Sequence, residues 1–418
     1  MTNQTAQTTT TAQRSPDSRA SVHIAVVGAG LGGLTLARIL RRGGIQVAVY
    51  DLDAGPDVRP QGGMLDMHEE SGQAALRAAG LYDAFRAQVM SSAEATRVLD
   101  KYATVRIDQP DDGDGTRPEI QREALRGLLL ESLGEETVHW SMKLTSVHPL
   151  DGGRHELSFA DGSTVTADLL IGADGAWSRV RSLVSDATPG YSGISFLTTH
   201  LRDTDTRHPD AAEVVGQGVM FALSEGKGII AHREPHSIIE VYVALTAGAD
   251  WVDCLDLADH NETKKVLLRE FEGWGDPLRA LIAEADDVFV PRPIYALPVG
   301  HRWARVPGVT LLGDAAHLMS PFAGEGANLA MLDAADLAAA LLEHGTDTAA
   351  GIEAALAAHE TAMFPRSAEF AAESADNLAL AFEADAPRRF LDLMASHVPQ
   401  PPADPAAAPV RTLAPDLY

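Results

Sequence analysis

Gly28, Gly30 and Gly33 stand at the spacing G-x-G-x-x-G, and Asp51 follows 18 residues after the last of them. These residue types at this spacing suit a dinucleotide. The first glycine permits a tight turn, the second lets backbone approach a pyrophosphate, and the third lets a helix pack closely on a strand. An acid at that distance reaches a ribose hydroxyl. The elements that must position them are legible on either side. Val22–Val27 reads as a buried parallel strand. Leu34, Leu36, Ile39 and Leu40 recur at near-helical spacing, and Gly43-Gly44 ends that helix. Ile45–Tyr50 reads as the second strand, which delivers Asp51. Free N–H groups and the dipole at the helix start favour a diphosphate. The bland alternative is a tight strand-to-helix turn without a ligand.

Two later stretches carry related chemistry. Asp174-Gly175 follows the apolar run Leu169–Gly172, with Ser178 and Arg181 expected on a helix beyond it; alternatively Asp174 only caps a turn. Asp314 stands at an expected strand end, where a carboxylate can meet a sugar-like hydroxyl. The loop Pro321–Asn328 is rich in small residues and feeds an apolar helix, Asn328–Leu342. The positive end of that helix would favour the negative charge of a reduced flavin at N1 and the C2 carbonyl. The other reading is a glycine-rich connection. Gly62 and Gly63 suggest backbone passing close to something. His68 and His317, beside these motifs, read as hydrogen-bonded rather than catalytic histidines.

Composition narrows the class. A net charge of −26 argues against nucleic acid and anionic membrane as partners. The single cysteine, Cys254, excludes an internal disulfide and a CxxC pair, and with them the disulfide reductases that share the opening motif. Neither HExxH nor a Cys/His cluster is present, so no metal is expected. No apolar run reaches membrane-spanning length. Residues 1–20, rich in Thr, Gln and Ser, read as a disordered tail rather than a signal peptide. A cytoplasmic monomer is the expectation.

Along the chain, an amphipathic helix is expected from Ser71 to about Ala79-Gly80, strands within 96–107, and a second helix over Glu119–Leu133. A hairpin turns at Asp161-Gly162. Residues 190–290 change texture, with alternating runs such as Ile238–Leu245 and a helix at Glu262–Trp274, and read as an antiparallel sheet. A last helix runs from Ile352 to about Phe382.

GxGxxG near the start, DG in the middle and GD in the last third, in this order, resemble the flavin monooxygenases of the aromatic-hydroxylase class, which fold like para-hydroxybenzoate hydroxylase. The resemblance covers residues 22–380. Within it, GGMLDMHEESGQAAL, IQREALRGLLLESL and GDAAHLMSPFAGEGAN resemble the tetracycline-inactivating monooxygenases of the TetX type. The implied fold is α/β: a GxGxxG Rossmann-like FAD-binding domain (21–95, 118–190 and 291–345), an inserted antiparallel-sheet substrate domain (96–117 and 191–290), a long C-terminal helix (346–395) and a loose tail (396–418).

The resemblance implies FAD, reduced by NAD(P)H with NADPH favoured, and O2 as co-substrate, with no protein nucleophile. It also implies site roles. Arg59 matches an arginine near the nicotinamide cofactor and flavin, Asp66 a flavin-contacting aspartate, Arg122 an arginine on FAD, and Asp314 the aspartate on the ribityl chain. Pro321, Gly324 and Asn328 belong to the flavin-flanking loop, and Asp174 to the middle motif, which is intact here and weakened in the TetX type. Arg122 should point away from the helix's leucine face. Where the TetX type sets Gln, Arg and His against its drug, this chain has Glu213, Val219 and Glu240. Glu240 alternates with Ile239 and Val241 and otherwise reads as a solvent-facing strand residue. Phe322 is expected to wall a substrate pocket between the Pro321–Asn328 loop and Ile238–Leu245, or else to be interface core.

The expected substrate is a fused-ring aromatic or polyketide-like small molecule, tetracycline among the candidates. A flavin halogenase is set aside, because Trp140, Trp177, Trp251, Trp274 and Trp303 form no W-x-W pair. A flavin reductase without oxygen insertion and a ligand-sequestering flavoprotein are the other readings.

Overall fold

The strand that opens the glycine motif, Ile24–Val27, becomes the centre of a five-stranded parallel sheet. Leu169–Gly172 and then Val309–Leu311 lie on one side, Ala48–Tyr50 and Val138–His139 on the other. The second motif thus joins the first because its leading strand is the sheet neighbour of Ile24–Val27, and the third joins because its leading strand pairs in turn with that of the second. The structure is a computed structural model and describes residues 22–58, 62–90, 95–111, 117–383 and 388–392. The expected tails, 1–20 and 396–418, and Arg59 lie outside the described residues.

The sheet is covered by the helix Leu31–Arg42, which packs on Gly326–His344. A Cβ at Gly32 would lie 2.9 Å from the Ala330 carbonyl oxygen, so this crossing needs glycine. The Asp161-Gly162 hairpin forms as expected, within a three-stranded antiparallel sheet. A second, seven-stranded sheet combines Thr96–Leu99 and Val105–Gln109 with four strands of residues 190–246 and with Val290–Ala296; only the 96–99/219–224 pairing is parallel. The architecture is the α/β class with an antiparallel sheet and a long last helix, Ala349–Phe382. That helix contains Pro365 and lies across both sheets, touching Trp303 near the parallel sheet and Phe322 near the other. None of the described helices is long and apolar enough to cross a membrane.

Several elements differ from expectation. Glu119–Gln121 is a strand paired with Met64–Asp66, so the second helix starts only at Arg122. The expected helix after Asp174 is a single 3-10 turn, Arg181–Leu183. The helix at 262–274 is His260–Glu270, begun by Asp259, whose carboxylate accepts from Asn261 N and Glu262 N. Residues 69–73 form a wide π turn leading into Ala74–Ala79, which Gly80 ends in the left-handed region (φ +67°).

Asp333, on Gly326–His344, ties three elements together. Its carboxylate lies 2.5 Å from His317 Nε2 and 2.9 Å from Arg366 Nη2, and accepts from Gly313 N at 3.1 Å. Burial alone would raise its pKa, but His317, His359 and Arg366 overcome this and hold the carboxyl well below the usual range. Removing one partner of a buried ion network costs about 3–5 kcal/mol. Asp333→Ala is therefore expected to lose about that much in urea unfolding at pH 7. A loss under about 1 kcal/mol, the scale of surface pairs, would show that the network does not hold the helices to the sheet.

Candidate functional site

The three glycines of the first motif have different reasons to be glycine. Gly28 has φ +108°, and a Cβ there would sit 2.2 Å from the Ala173 carbonyl oxygen; at Gly33 it would sit 2.1 Å from Gly28 O. Protein atoms demand both. Gly30 has an ordinary extended backbone (φ −79°, ψ −179°), and a Cβ there meets no atom within 4 Å. Gly30 also begins the helix Leu31–Arg42 with no side-chain cap, so that helix end offers free N–H donors and a positive dipole. A loop kept bare on the side the helix points to fits a pyrophosphate.

Asp51, at the end of the neighbouring strand, is buried. Its carboxylate accepts from Ala29 N at 2.6 Å and from Asp53 N at 2.9 Å, which pins the glycine loop. Each oxygen keeps a further lone pair for a hydroxyl donor. Sequence reasoning missed the loop's second support, Arg126. Its Nε donates to Ala29 O (3.1 Å) and Nη1 to Pro56 O (2.6 Å), and its guanidinium lies over the Trp140 ring. It stands one helical turn after Arg122, and that i, i+4 spacing was the available signal.

The Asp174 carboxylate is occupied locally, accepting from Ser178 Oγ (2.5 Å) and from the backbone of Arg179 (2.7 Å) and Val180 (3.3 Å). This is the turn-capping arrangement. Arg181 reaches onward from that turn to the third motif, donating to the carbonyls of Ala176 and Ala315.

Asp66, Arg122, Asp174, Tyr242 and Asp314 lie deep in the protein, yet all keep accessible side chains. Groups that are both deep and accessible line an internal cleft. Arg122 points into it, away from the leucine face as expected, and together with His317 and Arg181 faces Asp314. Burial still raises the Asp314 pKa against these three cations.

One wall of the cleft is an ion cluster around His68. Its Nδ1 lies 2.6 Å from Glu325 Oε1 and its Nε2 2.8 Å from Asp66 Oδ2. Burial would lower the His68 pKa, but the two carboxylates raise it to about 9, so the ring is an imidazolium at neutral pH and donates from both nitrogens. Asn328 adds three bonds: its Oδ1 accepts from His68 N, and its Nδ2 donates to Asp66 O and Gly324 O. Gly72 leaves room for that amide, since a Cβ there would lie 2.3 Å from Asn328 Oδ1. Pro321–Ala323 is a 3-10 turn, and Gly324 follows at φ +70° with both Asp66 carboxylate oxygens 3.6 Å from its Cβ position.

The antiparallel sheet forms the opposite wall. Glu240 is not the solvent-facing residue its alternation predicts: it is 3 % exposed. The reason is that this sheet is covered on both faces. Ile239, Val241 and Val243 face helices such as Asp276–Ala283, and Glu240 and Tyr242 face the cleft under Gly63. Tyr242 Oη donates to Glu240 Oε2 at 2.5 Å, and Glu234 on the next strand has its carboxyl pushed up to about 7 by burial and by Glu240. Glu213 is not brought here. It is exposed on the helix Pro209–Val215, which packs on the sheet's other face. Val219 lies on the cleft face, paired with His232.

Between the Pro321–Gly324 turn and Tyr242 lies a cavity of about 450 Å³ walled by Phe196, Phe221, Phe322, Ile230 and Phe390, with Arg117 at its edge. Phe322 packs edge-on against Phe196 and Phe382. Among the described residues no group of three or more His, Cys, Asp or Glu could hold a metal ion.

Comparison with known proteins agrees with the fold. The family model described as FAD binding domain matches residues 21–369. Monooxygenase asqM of Emericella nidulans is 33% identical, over 89% of this chain and 98% of that protein. Among solved structures, Klebsiella pneumoniae HpxO complexed with FAD and uric acid superposes with a TM-score of 0.75 at 22% identity, covering 90% of this chain and 94% of that one. The tetracycline destructase Tet(55) superposes with a TM-score of 0.69 at 18% identity, covering 91% and 96%.

The His68 cluster makes a pH prediction. Its folded pKa, about 9, lies above the ordinary 6.5, so its contribution is complete below about 6.5 and is lost as pH rises through about 9. The thermal midpoint of the parent should therefore fall more steeply between pH 7 and 10 than that of His68→Gln. Parallel profiles would show that this ring does not carry the charge.

Proposed function

The chain belongs to the FAD-binding-domain family of flavin-dependent monooxygenases, and on that premise we propose that it uses NAD(P)H, preferentially NADPH, and O2 to hydroxylate a fused-ring aromatic or polyketide-like small molecule. Tetracyclines are among the candidates, and their oxidation would inactivate the antibiotic. The observation that carries the substrate reading is the aromatic-walled cavity beside the Pro321–Gly324 turn. Its volume is in the range of small-molecule sites, which take most of their affinity from apolar burial and their orientation from a few polar groups.

The residues present fit FAD. Gly28, Gly30, Gly33 and the free helix end would take the pyrophosphate, and Asp51 a ribose. Asp314 and Arg122 would hold the ribityl chain and flavin flank, and the Pro321–Asn328 loop with the start of Gly326–His344 the ring edge. Asp66 acts through the His68 cluster that sets this loop, and Asp174 through the cap that orients Arg181. Bound there, FAD supplies electron transfer from NAD(P)H and activation of dioxygen. The chain has one dinucleotide motif, so NAD(P)H binds transiently in the cleft. Phe322, Phe196 and Phe221 wall the substrate and exclude water. Tyr242, its proton held by Glu240, meets the polar edge of the substrate. Glu240 in place of the histidine of the TetX type, and Val219 in place of its arginine, favour a substrate edge that donates hydrogen bonds.

Gly30→Ala separates binding from folding, because no protein atom opposes the methyl group. The FAD-free variant should melt like the parent while FAD affinity falls about tenfold or more, roughly 1.4 kcal/mol. Unchanged affinity would remove the pyrophosphate from this loop. For the substrate, product mass spectrometry after incubation with NADPH and a panel of fused-ring polyketides should show addition of one oxygen atom. Phe322→Ala should raise the KM of the reactive compound and increase uncoupled peroxide release. If tetracycline neither speeds NADPH oxidation nor gains oxygen, the antibiotic reading falls; if no aromatic does, the substrate class falls with it.

A further inference from the structure

Arg292 is a cation that the site described above does not use. It lies on Val290–Ala296, an edge strand of the antiparallel sheet, in register with Phe196. Residues directly opposite one another share a sheet face. Arg292 therefore stands on the cleft face, beside a ring that walls the aromatic cavity. Tyr242 continues that face on the strand beyond, edge-on to Phe196 with ring centroids 6.0 Å apart. By strand spacing and rise, the backbones of Arg292 and Tyr242 stand roughly 12 Å apart, with Phe196 on the strand between them.

Other arginines on or beside this sheet have carboxylate partners: Arg97 has Asp108, Arg202 has Asp287 and Arg233 has Asp205. The Arg292 guanidinium is exposed and has no hydrogen bond or carboxylate partner among the described residues. Its charge reaches Tyr242 and a second cation, Arg122. Burial lowers the Arg122 pKa, and Arg292 lowers it further, against the pull of Asp314 and Tyr242. Two guanidiniums that repel one another, one of them deep in the cleft, are relieved by an anion near both. Arg117, at the cavity's edge, is already in part engaged, 4.0 Å from Asp66. A chain of net charge −26 repels acidic ligands, so one that binds needs local cations to offset the field.

We propose that Arg292 receives a planar oxyanion on the substrate, a carboxylate or an acidic enol, while a hydroxyl at the other end of the ring system meets Tyr242 and Glu240. The inference rests on the substrate reading above and deepens it: the substrate is a flat aromatic with a donor at one end and an acid at the other. Its rings lie along Phe196, and a two-ring skeleton suits the span between the side chains. The fork of the guanidinium matches the two oxygens of such a group. Arg292 is then a specificity-determining residue.

The test titrates the FAD-loaded protein near neutral pH with 2-naphthol, 6-hydroxy-2-naphthoate and 6-hydroxy-2-naphthamide. The amide keeps the shape of the acid without its charge. The acid should bind about tenfold or more tighter than 2-naphthol, and the amide should not. Arg292→Gln should cut the gain to about twofold or less, and Arg292→Lys, which keeps the charge without the fork, should retain part of it. Arg292 is exposed on an edge strand, so both variants should melt with the parent. No gain for the acid in the parent, or an equal gain for the amide, overturns the acidic group and leaves the substrate reading standing. A gain that survives Arg292→Gln overturns the role of Arg292, and a loss of NADP+ affinity in the same variant would assign the guanidinium to the dinucleotide phosphates instead. Failure of all three probes to bind or to stimulate NADPH oxidation overturns the substrate reading, and the acidic group with it.

Discussion

The charge on His68 is the constraint on which the site depends. The imidazolium joins Asp66 to Glu325, residues from opposite ends of the chain, inside a wall that shields it from water. Two carboxylates so close to each other would repel, and the cation between them turns that repulsion into attachment. Asn328 then copies the connection with neutral hydrogen bonds. Three features follow from this one contact. The Gly324 turn is held against Asp66, the start of Gly326–His344 is aimed at the cleft, and Met64–Asp66 is fixed where it can pair with Glu119–Gln121. That pairing leads directly into Arg122, whose backbone N–H donates to Gly63 O.

The antiparallel sheet contributes a surface with two characters. Along one face, Phe196, Ile230 and Ala244 pack under the long C-terminal helix. Further along the same strands, His200, Glu240, His232 and Glu234 occupy cross-strand positions of that face. The apolar half serves burial, and the polar half holds carboxylates at a desolvation cost that a merely structural sheet would avoid. Tyr242 stands at the boundary, its ring edge-on to Phe196 and its hydroxyl on Glu240. A substrate lying across this boundary meets hydrocarbon on one side and hydrogen-bond acceptors on the other, and so has one favoured orientation.

Helix packing makes the arrangement rigid. Asp333 reaches from one helix to the strand end at Gly313 and to Arg366 on the next helix. The long helix then passes from the parallel sheet to the aromatic cavity, so the two walls of the cleft share a brace. The aromatic cavity uses that helix through Glu373 and Asn377, and Asn377 Nδ2 donates to Phe322 O at 3.0 Å.

By itself the sequence determined the parallel core, the dinucleotide motif and the three separated visits to it. Each is a local pattern: an apolar run, glycines at fixed spacing, an acid at a strand end. The place of the cavity was also legible, because the glycine-rich loop and the strand Ile238–Leu245 bound it. Contacts between distant segments decided the rest. Alternation placed Glu240 in solvent, whereas burial of both sheet faces placed it in the cleft. Spacing made Asp174 a ligand or a cap, and only folding brought Ser178 and the following amides to it. Glu213 aligned with a drug contact, yet its helix packs on the far side of the sheet. The Arg126 support and the His68 bridge depend on distances between residues far apart in the chain, on which side-chain type and local period carry no information.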